Sequence, residues 1–372
     1  MGLAHIAIAG LAGLSVILSL WALRRDSPPV WRFAMPAPVA MTPGAARIET
    51  LFDYAIETGQ AHSPTIVMGE GGFDVLWFEG SAEAQADVDI HHAAFRQFPE
   101  GWQTVAHGPR MTRAGLGKAM DPHQLVVTLG NTVENEARPG GVFATVVSVG
   151  GWAMASVADV TLGEAGPQAA RKLNLSPFLN RSHLVKSPMV AFEDGSFGLP
   201  AYFEMGAAHG VLVRFDARGR VRDTARMAGA GKPIQPMIVP LDQGHAVAFL
   251  RDFEPSGRLL VSRTADGGRY WSPVAPTDLP NPSAPVAALN LGDGQILMAA
   301  NDDPAGGDRL SLLMSQDGGE SWRVLEVLEE NGAGARYPVL RAQPGGGLIL
   351  AYSVGNKTGL RVRLLQGDWS RA

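Results

Sequence analysis

The 372-residue chain contains no cysteine, which excludes disulfides and thiolate metal sites. It has no basic run, and 31 Lys and Arg stand against 36 Asp and Glu for a formal charge of −5. Nucleic-acid recognition needs a basic face, so no nucleic-acid partner is expected. Charged residues of either sign are scarce, at 18%. Phosphate-loop and metal patterns are lacking too. GEGG at 69–72 is followed by no Lys-Ser or Lys-Thr, MAGAGK at 227–232 runs into Pro233, and the pair His91–His92 has no third ligand at useful spacing. No metal and no cofactor is expected. What abounds is punctuation, 45 Gly and 26 Pro, the usage of a chain with many turns and short strands.

One long apolar run exists. Residues 3–23, LAHIAIAGLAGLSVILSLWAL, carry no formal charge. At 1.5 Å per residue, about 21 residues reach across a hydrocarbon core of roughly 30 Å. Residues 1–25 are therefore expected to be a single-pass transmembrane anchor. The alternative is a cleaved signal peptide, against which stand the missing basic leader and the lack of a well-placed small-residue cleavage site. Residues 26–45 are rich in Pro and Ala and read as a linker. Arg24 and Arg25 follow the apolar run, and the positive-inside rule would keep the domain cytoplasmic. The domain class argued next points outward, and an extracytoplasmic or periplasmic domain is expected.

The remainder, residues 46–372, repeats. TADGGRYW at 264–271 and SQDGGESW at 315–322 share one template of Ser or Thr, Asp, Gly and Trp. Tight glycine turns at Glu70–Gly72, Pro139–Gly141, Glu193–Gly195, Asp242–Gly244, Gly292–Gly294 and Pro344–Gly346 recur about every fifty residues, with one longer interval after the first. Each turn lies between two short runs rich in Val, Ile, Leu and aromatics, the pattern of a hairpin. Five of the first runs open on Pro64, Pro188, Pro236, Pro285 or Pro338, and the second has Thr132 there. Two further strands fit in each repeat. Six four-stranded units of this length describe an all-β, six-bladed β-propeller, whose closure removes most free edges. In the boxes Asp266 and Asp317 accept backbone N–H groups, the glycines permit positive φ, and Trp271 and Trp322 pack between blades. ADVTLGEAG at 158–166 reads as a remnant of the same box.

These features, with AHSPTIV (61–67), LWFEGSAEAQADV (76–88), LSPFLNRSHLVKSP (175–188), LPAYFE (199–204), IQPMIVPL (234–241), FLRD (249–252) and RYPVL (336–340), resemble the sialidase (BNR-repeat) superfamily. The nearest likeness is to bacterial sialidase-like propellers of the exo-α-sialidase type, from about residue 45 to the end.

In such a ring the start of each first strand and the end of each second strand meet at one face. The starts supply His62, Asn131, Lys186, Gln235, Ser283, and Arg336 with Tyr337; the ends supply Glu79, Trp152, Glu204, Arg251 and Asn301. A rim of this composition suits an acidic sugar, since Arg forks onto a carboxylate, amides bond hydroxyls and Trp stacks on a sugar face. Structural roles stand beside these: Glu204 pairing Lys186, His62 as a capping group, Arg251 pairing Asp252, and Trp152 in the core. The resemblance implies Tyr337 as nucleophile, Glu204 as its proton acceptor, Asp87 as acid/base, and Arg251 and Arg336 as a carboxylate clamp. Sialidases use a tyrosine where most glycosidases use a carboxylate. The chain departs from the family at His62-Ser63-Pro64, where sialidases carry Arg-Ile-Pro, and its own branch differs at Phe203, Gly334 and Val362. The leading expectation is a membrane-tethered glycoside hydrolase acting on acidic sugars or exported polysaccharide, with Tyr337 or a water as nucleophile, Asp87 as acid and Arg251 with Lys186 as anion clamp. A non-catalytic glycan- or protein-binding propeller of envelope polysaccharide assembly is the alternative, and a uronate lyase using His62 or Tyr337 as base is a third reading.

Overall fold

The computed structural model describes residues 2–25, 29–36, 39, 44–175, 181–254, 256–303 and 309–369. Of the stretch expected as a linker, residues 26–28, 37–38 and 40–43 lie outside the described residues. The chain divides into two units, Met1–Val30 and Trp31–Ala372. The first contains a helix, Leu3–Arg25, long and apolar enough to cross a membrane by length and composition.

The second unit is a propeller of six sheets among the described residues. Blade 1 comprises Gln60–Gly69, Gly72–Gly80, Asp89–Phe98 and Gly101–Met111; blade 2 comprises Thr128–Glu134, Gly141–Val147, Ser156–Gly163 and Gly166–Lys172. In blade 3 the inner strand is broken into His183–Val185 and Val190–Ala191, followed by Phe197–Phe203, His209–Phe215 and Val221–Met227. Blade 4 is Pro233–Pro240, Ala246–Asp252, Arg258–Thr264 and Ala275–Pro280, and blade 5 is Ala287–Gly292, Gln295–Asn301, Leu310–Ser315 and Arg323–Glu329. Blade 6 joins Arg336–Ala342, Leu348–Val354 and Gly359–Gln366 to Arg47–Ala55, the first strand of the chain. That N-terminal strand closes the ring as the outer strand of blade 6, in an antiparallel ladder with Gly359–Gln366.

Packing follows the ring. One apolar cluster lies between each pair of neighbours: Leu76 and Ile90 with Val142 and Val160, Phe143 with Val213, Leu212 with Ile238, Val247 with Ile296, Leu297 with Leu350, and Ile349 with Val75. Both faces of each inner strand are covered, which is why these runs are apolar without alternating.

Call the face that carries the first-strand starts the front; the turns after the first and third strands of a blade lie at the back, and the turn after the second lies at the front. The two boxes are back-face turns, as expected. Asp317 accepts from the backbone N–H of Glu320 and Ser321, at 3.0 and 2.9 Å, and Asp266 from that of Tyr270 at 3.0 Å. Gly268 and Gly319 take φ of 90° and 89°, and a Cβ on either would lie 2.9 Å from Leu212 or 2.7 Å from Phe249. Trp322 meets Phe249 of the preceding blade edge-on, with centroids 5.6 Å apart. The 158–166 remnant needs correction: Asp159 sits within a strand and binds Asn135, Arg138 and Arg171, while only Gly163–Gly166 occupies the turn.

Three features depart from expectation. The long first interval holds a short helix, Arg113–Ala119, capped by the Thr112 hydroxyl. Within the 26–45 stretch, Trp31–Ala34 is docked on the back face: Phe33 is fully buried on Phe192, and its N–H donates to the Gln243 carbonyl at 2.8 Å. Finally, the opening prolines are not first residues. In three blades the inner strand begins before the proline and bulges there, at His62/Thr65, Ile234/Met237 and Arg336/Val339, whereas Pro188 falls in the break of the blade 3 strand and Pro285 precedes its strand, which starts at Ala287. A proline lacks the N–H that a ladder would use, so the ladder skips it.

Candidate functional site

Those bulges aim side chains at the axis. Ser63, Gln235 and Tyr337 each precede a proline and hold φ of 57°, 52° and 57°, and Ser283, two residues before Pro285, holds 56°. Left-handed φ on a non-glycine residue costs about 1–3 kcal/mol and persists where surroundings enforce it. With Ser182, at 59° beside the blade 3 inner strand, five blades place such a residue near the start of the inner strand.

The front funnel encloses a cavity of about 260 Å³, walled among others by Asn131, Trp152, Glu204, Gln235, Arg251 and Tyr337. The Arg251 guanidinium organises it. Its Nη1 donates to the Tyr337 hydroxyl at 3.0 Å and to Gln235 Oε1 at 3.3 Å, and its Nε donates to Ser283 Oγ at 3.1 Å. Gln235 Nε2 in turn donates to the Tyr202 hydroxyl at 3.3 Å. Burial, with the charge of Glu204 second, keeps the Tyr202 phenol protonated well beyond the ordinary tyrosine range. Burial also raises Glu204 above the usual carboxylate range; Arg251 opposes the shift and Glu83 adds to it. The Trp152 ring lies on the backbone of Gly130, where a Cβ would come within 2.9 Å of it. Glycine at 130 thus makes the aromatic wall.

The expected residues divide in two. Asn131, Glu204, Gln235, Arg251 and Tyr337 share the cavity wall, together with Trp152. His62 stands behind that wall: its ring meets Tyr337 edge-on at 4.3 Å and Phe78 at 5.3 Å. It is 1% exposed, and neither ring nitrogen has a hydrogen-bond partner among the described residues. Burial, reinforced by Lys357 and Lys186, holds its pKa well below the ordinary value, so the ring is neutral. Lys186 is likewise buried and donates to the Pro338 carbonyl at 3.1 Å rather than pairing with Glu204.

Four expectations are corrected. Glu79 turns away from the cavity and accepts from Tyr54 Oη and Trp77 Nε1, at 3.0 and 2.9 Å; the strand period of two gives the wall to Phe78 instead. Asn301 is fully buried and ties blade 5 to the next by donating to the Ala335 carbonyl at 2.8 Å. Arg336, one residue from Tyr337, is absent from the cavity wall. Asp87 is exposed and closes its own loop, accepting from Ser81 N–H and Oγ at 3.1 and 3.0 Å.

The acid that this loop presents to the cavity is Glu83, paired with Lys357 at 2.6 Å. Ala84, with φ of 66°, turns the loop there, and Gln60 Oε1 anchors the Glu83 N–H at 2.7 Å. Sequence reasoning missed Glu83 and Lys357. The loop offers two acids four residues apart, and Lys357 belongs to a turn with no mark of its own. Among the described residues no group of three His, Asp or Glu is arranged to hold a metal.

Comparison with solved structures places the same architecture in three proteins. A Dyadobacter fermentans protein of unknown function aligns with a TM-score of 0.66 at 12% identity, over 86% of this chain and 99% of its own. A Hadza microbial sialidase aligns with a TM-score of 0.61 at 13% identity, over 86% and 69%. Trypanosoma rangeli sialidase in complex with sialic acid aligns with a TM-score of 0.59 at 11% identity, over 88% and 60%. At these identities the likeness shows the fold. No curated protein matches the chain by sequence. The model of the BNR repeat-like domain matches residues 71–350, and with six blades and two intact boxes the chain belongs to that sialidase-like BNR β-propeller family.

Proposed function

We propose that the front cavity binds an acidic sugar and that the chain is a sialidase-like glycoside hydrolase held at a membrane by its N-terminal helix. The observation that carries this reading is the Arg251–Tyr337 hydrogen bond of 3.0 Å in a cavity that also holds Glu83 and Glu204. Arg251 and Lys357 attract the ligand's carboxylate, and Asn131 and Gln235 bond hydroxyls. Tyr337 Oη attacks the anomeric carbon as the glycosidic C–O bond breaks, and its proton passes to the Glu204 carboxylate. Glu83 protonates the leaving oxygen once the incoming anion has drawn Lys357 away. Water then attacks the tyrosyl glycoside and gives its proton to Glu83, while Glu204 returns its proton to the departing Tyr337 oxygen, which restores the enzyme.

A panel of sialosides and uronate oligosaccharides tests this with wild type and Tyr337→Phe. Turnover by wild type and its loss in the variant are expected; equal turnover in both would remove Tyr337 from the chemistry. One observation favours a second reading, non-catalytic carbohydrate recognition: no hydrogen bond joins Glu204 to the Tyr337 hydroxyl among the described residues. Saturable binding without turnover across the panel would select it.

The extracytoplasmic location is also a proposal. Because the chain has no cysteine, Tyr270→Cys places a single thiol at a residue 67% exposed. Labelling of that thiol in intact cells by a membrane-impermeant maleimide is expected; labelling only after lysis would place the propeller inside.

A further inference from the structure

Lys186 has an unusual setting. It is 4% exposed, forms no ion pair among the described residues, and its amine is driven down to about 7 by burial. A buried ammonium without a counter-ion is unfavourable, and an apolar side chain of similar length would fill the space at less expense. The amine must therefore do something packing alone does not. Its hydrogen bond runs to the Pro338 carbonyl at 3.1 Å, and its Nζ lies 5.8 Å from the Tyr337 ring centroid. Lys186 belongs to blade 3 and Pro338 to blade 6. In a six-membered ring these blades are opposite, so the side chain crosses the axis.

The atom it holds is informative. Tyr337 keeps φ of 57° within the bulge between Arg336 and Val339. Relaxation to negative φ would move the phenol and swing the peptide units that follow. Arg251 fixes the hydroxyl and His62 braces one side of the ring. Neither holds the backbone beyond it. Lys186 does, at the carbonyl of the next residue.

We propose that Lys186 is a positioning residue, a strut across the propeller axis that holds the Tyr337–Pro338 segment in its left-handed conformation and so keeps the Tyr337 hydroxyl on Arg251. The role deepens the reading of the front cavity and rests on it for its functional meaning, while the contact itself requires no particular ligand.

The test places 3-fluorotyrosine at position 337 of the full chain and reads its fluorine resonance with and without Lys186→Met. The variant should fold with the resonance displaced, and adding Arg251→Met should then move it little, whereas Arg251→Met alone should move it clearly. Affinity for sialic acid, measured on unlabelled protein, should fall at least roughly tenfold in Lys186→Met. An unmoved resonance that still responds fully to Arg251→Met would overturn the proposal. Should Lys186→Met not fold, Lys186→Gln serves: its stem is too short to reach Pro338, so it should give the displaced resonance, and a wild-type resonance there would equally overturn the strut. If the resonance moves while wild type binds no sialic acid, the strut stands and the ligand reading falls.

Discussion

The two faces of the ring share out left-handed backbone unequally between residue types. At the back, the turns give it to glycine at Gly71, Gly140, Gly195, Gly267, Gly268, Gly294, Gly318, Gly319 and Gly346, with Asp293 the exception at φ of 51°. Glycine adopts that conformation readily, so the back-face turns carry little strain. At the front, turn glycines such as Gly206, Gly257 and Gly355 carry it too, but so do Ser63, Ser182, Gln235, Ser283 and Tyr337 at the inner-strand starts, where each costs about 1–3 kcal/mol. Non-glycine residues in this conformation gather at the inner-strand starts beside the front cavity, which is where the proposed site lies.

Several substitutions would break or sharpen this contrast. The largest effect belongs to Tyr337→Phe, which removes the hydroxyl held by Arg251. Turnover should fall by roughly three orders of magnitude or more, with thermal unfolding almost unchanged. A comparison within one loop comes next. Glu83→Gln should suppress hydrolysis by roughly a hundredfold or more, whereas Asp87→Asn should leave the rate nearly intact and lower stability slightly, since Asp87 only closes its loop on Ser81. The reverse ranking would restore Asp87 as the acid.

At the back, Gly319→Ala meets both positive φ and a Cβ contact of 2.7 Å with Phe249. It should destabilise by about 1–3 kcal/mol in a denaturant titration while ligand affinity stays the same; a weakened affinity would mean that the faces are coupled. Asp317 gives a pH signature. Hydrogen bonds from Ser321 and Ser315 hold its carboxyl below the usual range. A depressed carboxylate stabilises the fold above its unfolded pKa of about 4 and loses that contribution as pH falls through the folded value. The melting temperature of wild type should exceed that of Asp317→Ala at pH 7, and the gap should narrow on acidification below about pH 4. A constant gap would assign the stabilisation to something other than the ionised carboxylate.

The smallest effect lies at Ser63, whose Oγ donates to Asn131 at 2.6 Å. Ser63→Gly loses that bond but relieves the strain, and Ser63→Ala loses the bond and keeps the strain. The glycine variant should be the more stable by about 1 kcal/mol; equal stabilities would show that the conformation is not strained.

The fold was legible because turns repeat. The Asp-containing boxes and glycine turns mark the back face at a regular period, and turn chemistry is local. The closing strand Arg47–Ala55 left no such mark, because its partner, Gly359–Gln366, lies at the far end of the chain. The docking of Trp31–Ala34 was hidden in a Pro/Ala-rich composition typical of linkers, although Gly267 bears its trace: a Cβ there would lie 1.9 Å from the Trp31 carbonyl oxygen.

At the strand ends the cavity-wall residues were legible to within about one position, while the loop acid was missed by four, Asp87 for Glu83. Strand ends located the rim, but side chains alternate between faces, so a shift of one residue exchanges wall for interior. Glu79 was expected where Phe78 stands, and Arg336 beside Tyr337. The bulge at Pro64, Pro236 and Pro338 adds a residue and changes the parity, and no composition rule reveals which side chain then points inward. Asn131, Glu204, Gln235, Arg251 and Tyr337 were found because they sit where parity and bulge agree.

The central claim is that the strained front face, and not the back, is where an acidic sugar binds. A crystal structure of the chain soaked with sialic acid tests it most directly. The account predicts the sugar in the front cavity, its carboxylate within hydrogen-bond distance of Arg251 and its ring against Trp152. Sugar found only among the back-face turns, or a front cavity left empty at saturating ligand, would contradict it.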